Sequence, residues 1–196
     1  MNSQEFEASL EQMKMHCGLI ADLTKRLKDI SPQFGKTVLQ KMVFLLQEVY
    51  HVNVGYSFGF HTFGPFSSDL LGDLDIAENS GVVVVNSGEG AYGHGYVIKP
   101  GERIEACLTD AGEFLKANSQ HISDLVSAFG GKSAKDLELL TTIIYLNKEI
   151  QIDTANMTRD EAIGKILELK PKFTKSEVLK GMTELKNTHN IQLVFL

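Results

Sequence analysis

The sequence contains no tryptophan, two cysteines and four prolines. Two cysteines supply neither a disulfide framework nor a metal-binding pair. Cys17 lies on an apolar helical stripe and Cys107 in a strand-like stretch, so both read as small buried hydrophobes of a reducing compartment. Long apolar runs are also lacking. Val82 to Val85 stops at Asn86, far short of a bilayer span. The opening residues, MNSQEFEASLEQ, are acidic where a signal peptide would be basic and then apolar. The expectation is a cytoplasmic protein with no membrane partner.

Positive charge is scarce in one region. Residues 1–110 hold 8 basic and 14 acidic residues, whereas residues 111–196 hold 11 of each. The net charge of -6 therefore falls entirely on the first part. At 43% hydrophobic and 22% charged residues, the 196-residue chain can build a core of ordinary globular size.

Phe6, Leu10, Met13, Cys17, Ile20, Leu23, Leu27 and Ile30 recur at steps of three and four, which predicts a long amphipathic helix. Its near-heptad seam suits packing along the body or pairing with a second copy, so Phe6 to Ile30 is a candidate homodimer surface. Gly18 weakens this helix, and SPQFG at 31–35 ends it. A second helix, Lys36 to His51, is apolar over more than half its circumference and belongs in the core. Tyr56, Phe58 and Phe60 alternate with small or polar residues, as in a strand. Ser67 then caps a short helix from Ser67 to Ser80.

GEGAYG, Gly88 to Gly93, matches the G-x-G-x-x-G pattern of dinucleotide-binding loops. Such a loop must open a helix, whose N-terminus holds the pyrophosphate. Here HGYVIKPG follows, with strand formers and then Pro100, so no βαβ unit forms. The pattern predicts a β-hairpin, 82–86 pairing with 95–99 around a tip at Ser87 to His94, and no cofactor. Thr109 is positioned to cap a helix from Asp110 to Ala117. The tail reads as helical, with capping boxes at Thr158/Glu161 and Thr174/Glu177 opening helices of 159–169 and 175–187. IQLVFL at 191–196 adds an edge strand. The fold class is α+β and mostly helical. Its units are an N-terminal helix over 1–34, a winged-helix-like core over 35–118 and a helical subdomain over 119–196 that shares the core.

The element order, with LTDAGEFL after a hairpin, resembles winged-helix regulators. The chain is more closely similar to the YwgA-like family and the related Panacea antitoxin-like domains. LQKMVFLLQ (39–47), GYSFGFHTFGPFSSDLLGDL (55–74), LTDAGEFL (108–115), LELLTTIIYL (137–146) and KPKFTKSEV (170–178) carry that resemblance. It implies a prokaryotic, non-enzymatic protein; Panacea relatives act beside toxins, whereas the YwgA-like family lends no activity.

A winged helix ordinarily binds DNA through lysine and arginine on phosphates. The helix in the reading position holds Asp69, Asp73, Asp75 and Glu78 and no basic residue, so charge disfavours DNA. That surface, with Phe63 and Phe66 beside Asp69, Asp73 and Glu78, reads instead as a docking site for a basic protein, set against aromatics that are plain core. Lys170, Lys172 and Lys175 cluster before a helix and form a candidate anion site, set against a plain solvated turn. No nucleophile–base set or metal-ligand spacing stands out: GPFSS is not a nucleophile elbow, and the histidines are isolated.

Overall fold

The computed structural model describes residues 3–90, 93–152, 157–187 and 191–195. Helix α1 (Ser3–Leu27) leads to α2 (Lys36–Glu48), then to a small hairpin of β1 (Gly59–His61) and β2 (Gly64–Phe66). Helix α3 (Ser68–Asn79) precedes a longer hairpin, β3 (Val83–Gly90) and β4 (Gly93–Pro100). Helices α4 (Ile104–Asp110), α5 (Gly112–Ala117), α6 (Ser119–Phe129), α7 (Ala134–Ile152), α8 (Arg159–Leu169) and α9 (Lys175–Asn187) follow. The architecture is α+β and mostly helical, with two separate two-stranded antiparallel sheets.

Helices α2 and α7 form the centre. From Val38 to Leu46 every residue of α2 is buried, and α7 is buried over most of its circumference, through Leu137, Leu140, Ile143, Leu146 and Ile150. Helices that apolar on several faces are stable only when enclosed. Helix α7 packs on α2, β2, α8 and α9, while α1 packs on α3, α4, α5 and β4. One hydrophobic cluster runs from Cys17 to Phe195.

The capping boxes are present. The Thr158 hydroxyl accepts from the Glu161 amide, and the Glu161 carboxylate accepts from the Thr158 amide; Thr174 and Glu177 repeat the arrangement. The glycine motif lies on a hairpin, as its flanking residues require. Its ladder is longer than 82–86 with 95–99, reaching Glu89↔His94 and Gly90↔Gly93. Ala91 and Tyr92 of the tip lie outside the described residues, as does His189.

Several local expectations are corrected, and in most of them a side chain satisfies backbone groups. The 52–58 segment alternates buried and exposed residues, but only Gly59–His61 enters a ladder. Gln47 clips the segment instead, its amide donating to the Tyr56 carbonyl (2.9 Å) and accepting from the Tyr56 amide (3.2 Å). Residues 191–195 form no strand. The Asn147 side chain donates to the Gln192 carbonyl at 3.1 Å and accepts from the Val194 amide at 2.7 Å. Ser67 stands at the N-cap of α3 without a capping hydrogen bond; Gln40 clips its backbone through both amide atoms, at 2.8 and 2.9 Å. Thr109 caps nothing, because α4 begins earlier and its hydroxyl donates to the Glu105 carbonyl within that helix. Cys107 accordingly lies half-buried in a helix rather than in a strand.

Gly18 acquires a packing role. A Cβ there would stand 2.1 Å from the Ala111 Cβ, so its absence lets α1 meet the α4–α5 junction. Gly18→Val should therefore lower stability by about 1–3 kcal/mol, as overpacking does. Adding Ala111→Gly should recover part of that loss in urea unfolding. Equal losses in the single and double variants would show that the contact with Ala111 is not the source of the cost.

Candidate functional site

Helix α7 buries a carboxylate. Glu138 is 2% exposed, on a helix whose buried faces are mainly leucine and isoleucine and which buries no other charged side chain. An isolated carboxylate is not tolerated there. Lys170 Nζ stands 3.0 Å from Glu138 Oε1, off the direction of a hydrogen bond, and Lys172 Nζ donates to Oε2 at 2.7 Å. Lys170 is itself buried and donates to the carbonyl of Thr62, with its ammonium 5.0 Å from the centre of the Phe60 ring. The turn between α8 and α9 is thus pinned both to α7 and to the β1–β2 turn.

Lys41 on α2 is the third cation. It is 2% exposed and donates to the Pro65 carbonyl at 2.6 Å. Burial drives its amine down to about 7; Glu138 opposes that shift and Lys170 adds to it. Gly64, at φ +87°, lets the hairpin close over this amine: a Cβ there would lie 3.5 Å from Lys41 Nζ and 3.3 Å from the Thr142 hydroxyl. Beside Lys41 opens a cavity of about 240 Å³, lined by Lys36, Thr37 and Gln40 of α2, His61 to Gly64 and Phe66 of the hairpin, and Leu71 of α3.

The structure brings some of the anticipated residues together. Phe63, 59% exposed, and Phe66, half-buried, both line this cavity. The lysines at the tail turn do not form a shared anion site. Lys170 and Lys172 converge on Glu138, and Lys175 faces Asp160 at 3.3 Å. The acidic set on α3 is also divided. Asp69 and Asp75 are exposed, but Glu78 accepts from the Val85 amide at 3.1 Å and so tethers β3. Asp73 is turned inward.

Asp73 accepts from His16 Nδ1 at 2.7 Å and from the Tyr56 hydroxyl at 2.8 Å. The other imidazole nitrogen, Nε2, faces the Val54 carbonyl at 2.8 Å, and the ring stacks on Tyr56 with 4.3 Å between centroids. Both nitrogens meet acceptors, an arrangement that suits the doubly protonated imidazolium. Burial disfavours that charge, but the Asp73 hydrogen bond, the Val54 carbonyl and the Asp73 charge together raise the His16 pKa. Burial likewise works against the Asp73 carboxylate, and the bonds from His16 and Tyr56 outweigh it, leaving its pKa lowered. Burial also raises the thiol of the adjacent Cys17, to about 11.

Helix α1 is only partly available for self-association. Leu19, Ile20, Leu23 and Leu27 are buried in this chain's own core, which leaves Phe6 and Met13 exposed on the helix. Lys41 and Glu138 escape sequence reading because each sits in an apolar helix, where a lone charge looks like a surface residue on a narrow polar stripe. The available signal is the pair Gln40-Lys41 interrupting VLQKMVFLL. Among the described residues, no group of three or more His, Cys, Asp or Glu side chains is placed to hold a metal ion. No helix among them is long and apolar enough to cross a membrane. No known protein family, curated protein or solved structure matches the chain.

The His16–Asp73 pair has a defined pH window. The raised His16 pKa contributes stability that is complete below its ordinary 6.5 and is lost as pH rises through the folded value. The lowered Asp73 pKa contributes stability that is present above 3.8 and is lost as pH falls through the folded value. Lys41, with its lowered pKa, acts in the opposite sense to His16 as pH rises, so the informative quantity is a difference between proteins. His16→Asn should lose less stability than the parent protein between pH 6 and 8 in urea unfolding. Identical pH slopes would exclude a charged His16.

Proposed function

We propose that this chain is a non-enzymatic, winged-helix-like interaction module that docks a basic protein segment on the outer face of α3. The carrying observation is that α3 lies at the surface with acidic residues and no lysine or arginine of its own. Asp69 and Asp75 border its solvent arc, with Ile76, 43% exposed, between them. Among the described residues no lysine or arginine forms an ion pair with either aspartate. An apolar contact flanked by carboxylates suits an amphipathic cationic segment. Leu71 lies one helical turn before Asp75, so this face continues toward the cavity edged by Phe63 and Phe66.

The winged-helix reading is supported by the order of α1, α2 and α3 ahead of the β3–β4 hairpin. It is also supported by a backbone hydrogen bond of 2.8 Å from the Ile98 amide to the Phe34 carbonyl. That bond ties the α1–α2 connection to the last strand, where a winged helix carries its short third strand. The antitoxin-like role rests on the resemblance of 39–47, 55–74 and 108–115 to YwgA-like and Panacea sequences.

A DNA-binding regulator would need cations on the same face. Co-purification from the native host separates the two readings. The expected result is a partner rich in lysine and arginine, retained at low salt, released at high salt, and absent when Asp69→Lys and Asp75→Lys are combined. Recovery of no protein partner, together with salt-sensitive retardation of duplex DNA, would favour the regulator instead.

A further inference from the structure

Beyond that docking face, we infer that the cavity beneath the β1–β2 turn is a binding site for a small organic anion, a monocarboxylate with an apolar body, seated on Lys41 and Lys36. The charged and titratable side chains lining the cavity are Lys36, Lys41 and His61, with no carboxylate among them. Its apolar walls come from Phe63, Phe66 and Leu71. At about 240 Å³ it falls below the range of about 300–1,000 Å³ typical of drug-sized ligands, which fits a molecule the size of benzoate.

The charge balance points the same way. Three lysines, Lys41, Lys170 and Lys172, surround the single carboxylate of Glu138. Glu138 lies closest to Lys170 and Lys172, so Lys41 is the member left with least compensation. The Pro65 carbonyl takes one of the three N–H donors of the Lys41 ammonium. A buried cation with too little opposing charge gives up its proton, unless an anion joins it. The start of α2 adds to the field. Its N-cap is Gly35, which offers no side-chain acceptor, and no acidic residue lies in its first turn. The positive end of that helix therefore opens beside Lys36 and Thr37 without an internal counter-charge.

Lys41 titrates near neutrality in the free protein, so an anion that prefers its charged form must bring a proton with it. Glu138 on α7 and Lys170 after α8 act on the amine; the cavity also holds Lys36 of α2 and His61 of β1, and Lys172 reaches Glu138 at Oε2. His61 is the one imidazole lining the cavity, so it serves as the control.

The test is calorimetric titration of the full chain with benzoate at pH 6, 7 and 8.5, in buffers of differing ionisation enthalpy. Affinity should fall by up to about tenfold per pH unit above 7, with net proton uptake at pH 7. Proton uptake should survive His61→Gln. It should vanish with benzoate binding in Lys41→Met, whose fold is checked by near-ultraviolet circular dichroism. Lys36→Ala, at the cavity rim, should weaken binding several-fold and keeps the test open if Lys41→Met fails to fold. Binding weaker than about 10 mM, pH-independent binding without proton uptake, or unchanged affinity in a folded Lys41→Met protein would overturn the inference. Inorganic phosphate binding as tightly as benzoate would overturn the apolar-body requirement.

Discussion

A carboxylate enclosed by an apolar helix bundle must be neutralised where it stands, or the helix cannot stay enclosed. Glu138 sets that condition. Lys170 and Lys172 meet it from the α8–α9 turn, and Lys41 contributes from α2. These lysines then fix other parts of the molecule. Lys170 holds the carbonyl of Thr62, and Lys41 holds that of Pro65, so the β1–β2 hairpin is clamped from two sides by cations that share one counter-ion. A two-stranded hairpin of three-residue strands has little stability of its own. Its position, and with it the cavity and the exposed Phe63, depends on charges buried behind it.

The two ionic centres divide the molecule's work. The Glu138 cluster joins α2, α7, the hairpin and the tail. The His16–Asp73–Tyr56 centre joins α1 to α3 and to the extended 52–58 segment. It holds α3 against the body by one of that helix's own acids, which leaves Asp69 and Asp75 facing outward. A helix that is uniformly acidic in sequence is therefore two surfaces, one spent on internal contacts and one facing solvent.

What was legible in the sequence was local. Capping boxes at Thr158 and Thr174 depend on residues three apart, and the β3–β4 hairpin depends on β-branched residues around a glycine tip. What was hidden was pairing across distance. Lys170 and Lys172 read as a basic turn open to an anion, yet their anion is Glu138, more than thirty residues earlier. The alternation of Tyr56, Phe58 and Phe60 reads as one strand, although only Gly59–His61 joins a ladder and Tyr56 is held otherwise. Periodicity reports which side chains are buried, and it is silent on whether a second strand or Gln47 satisfies the backbone. The same ambiguity accounts for residues 191–195, where Asn147 takes the partner strand's place.

Glu138→Gln tests the organising role of that carboxylate most directly, because it removes the charge with almost no change of shape. Urea unfolding should show a loss of about 3–5 kcal/mol, the cost of stranding buried cations. Hydrogen exchange should show faster opening of residues 59–66 than of α9. Lys172→Ala, at a lysine 47% exposed, should cost no more than about 1 kcal/mol. A loss below about 1 kcal/mol in Glu138→Gln, with the hairpin as protected as before, would contradict a fold held together around this residue.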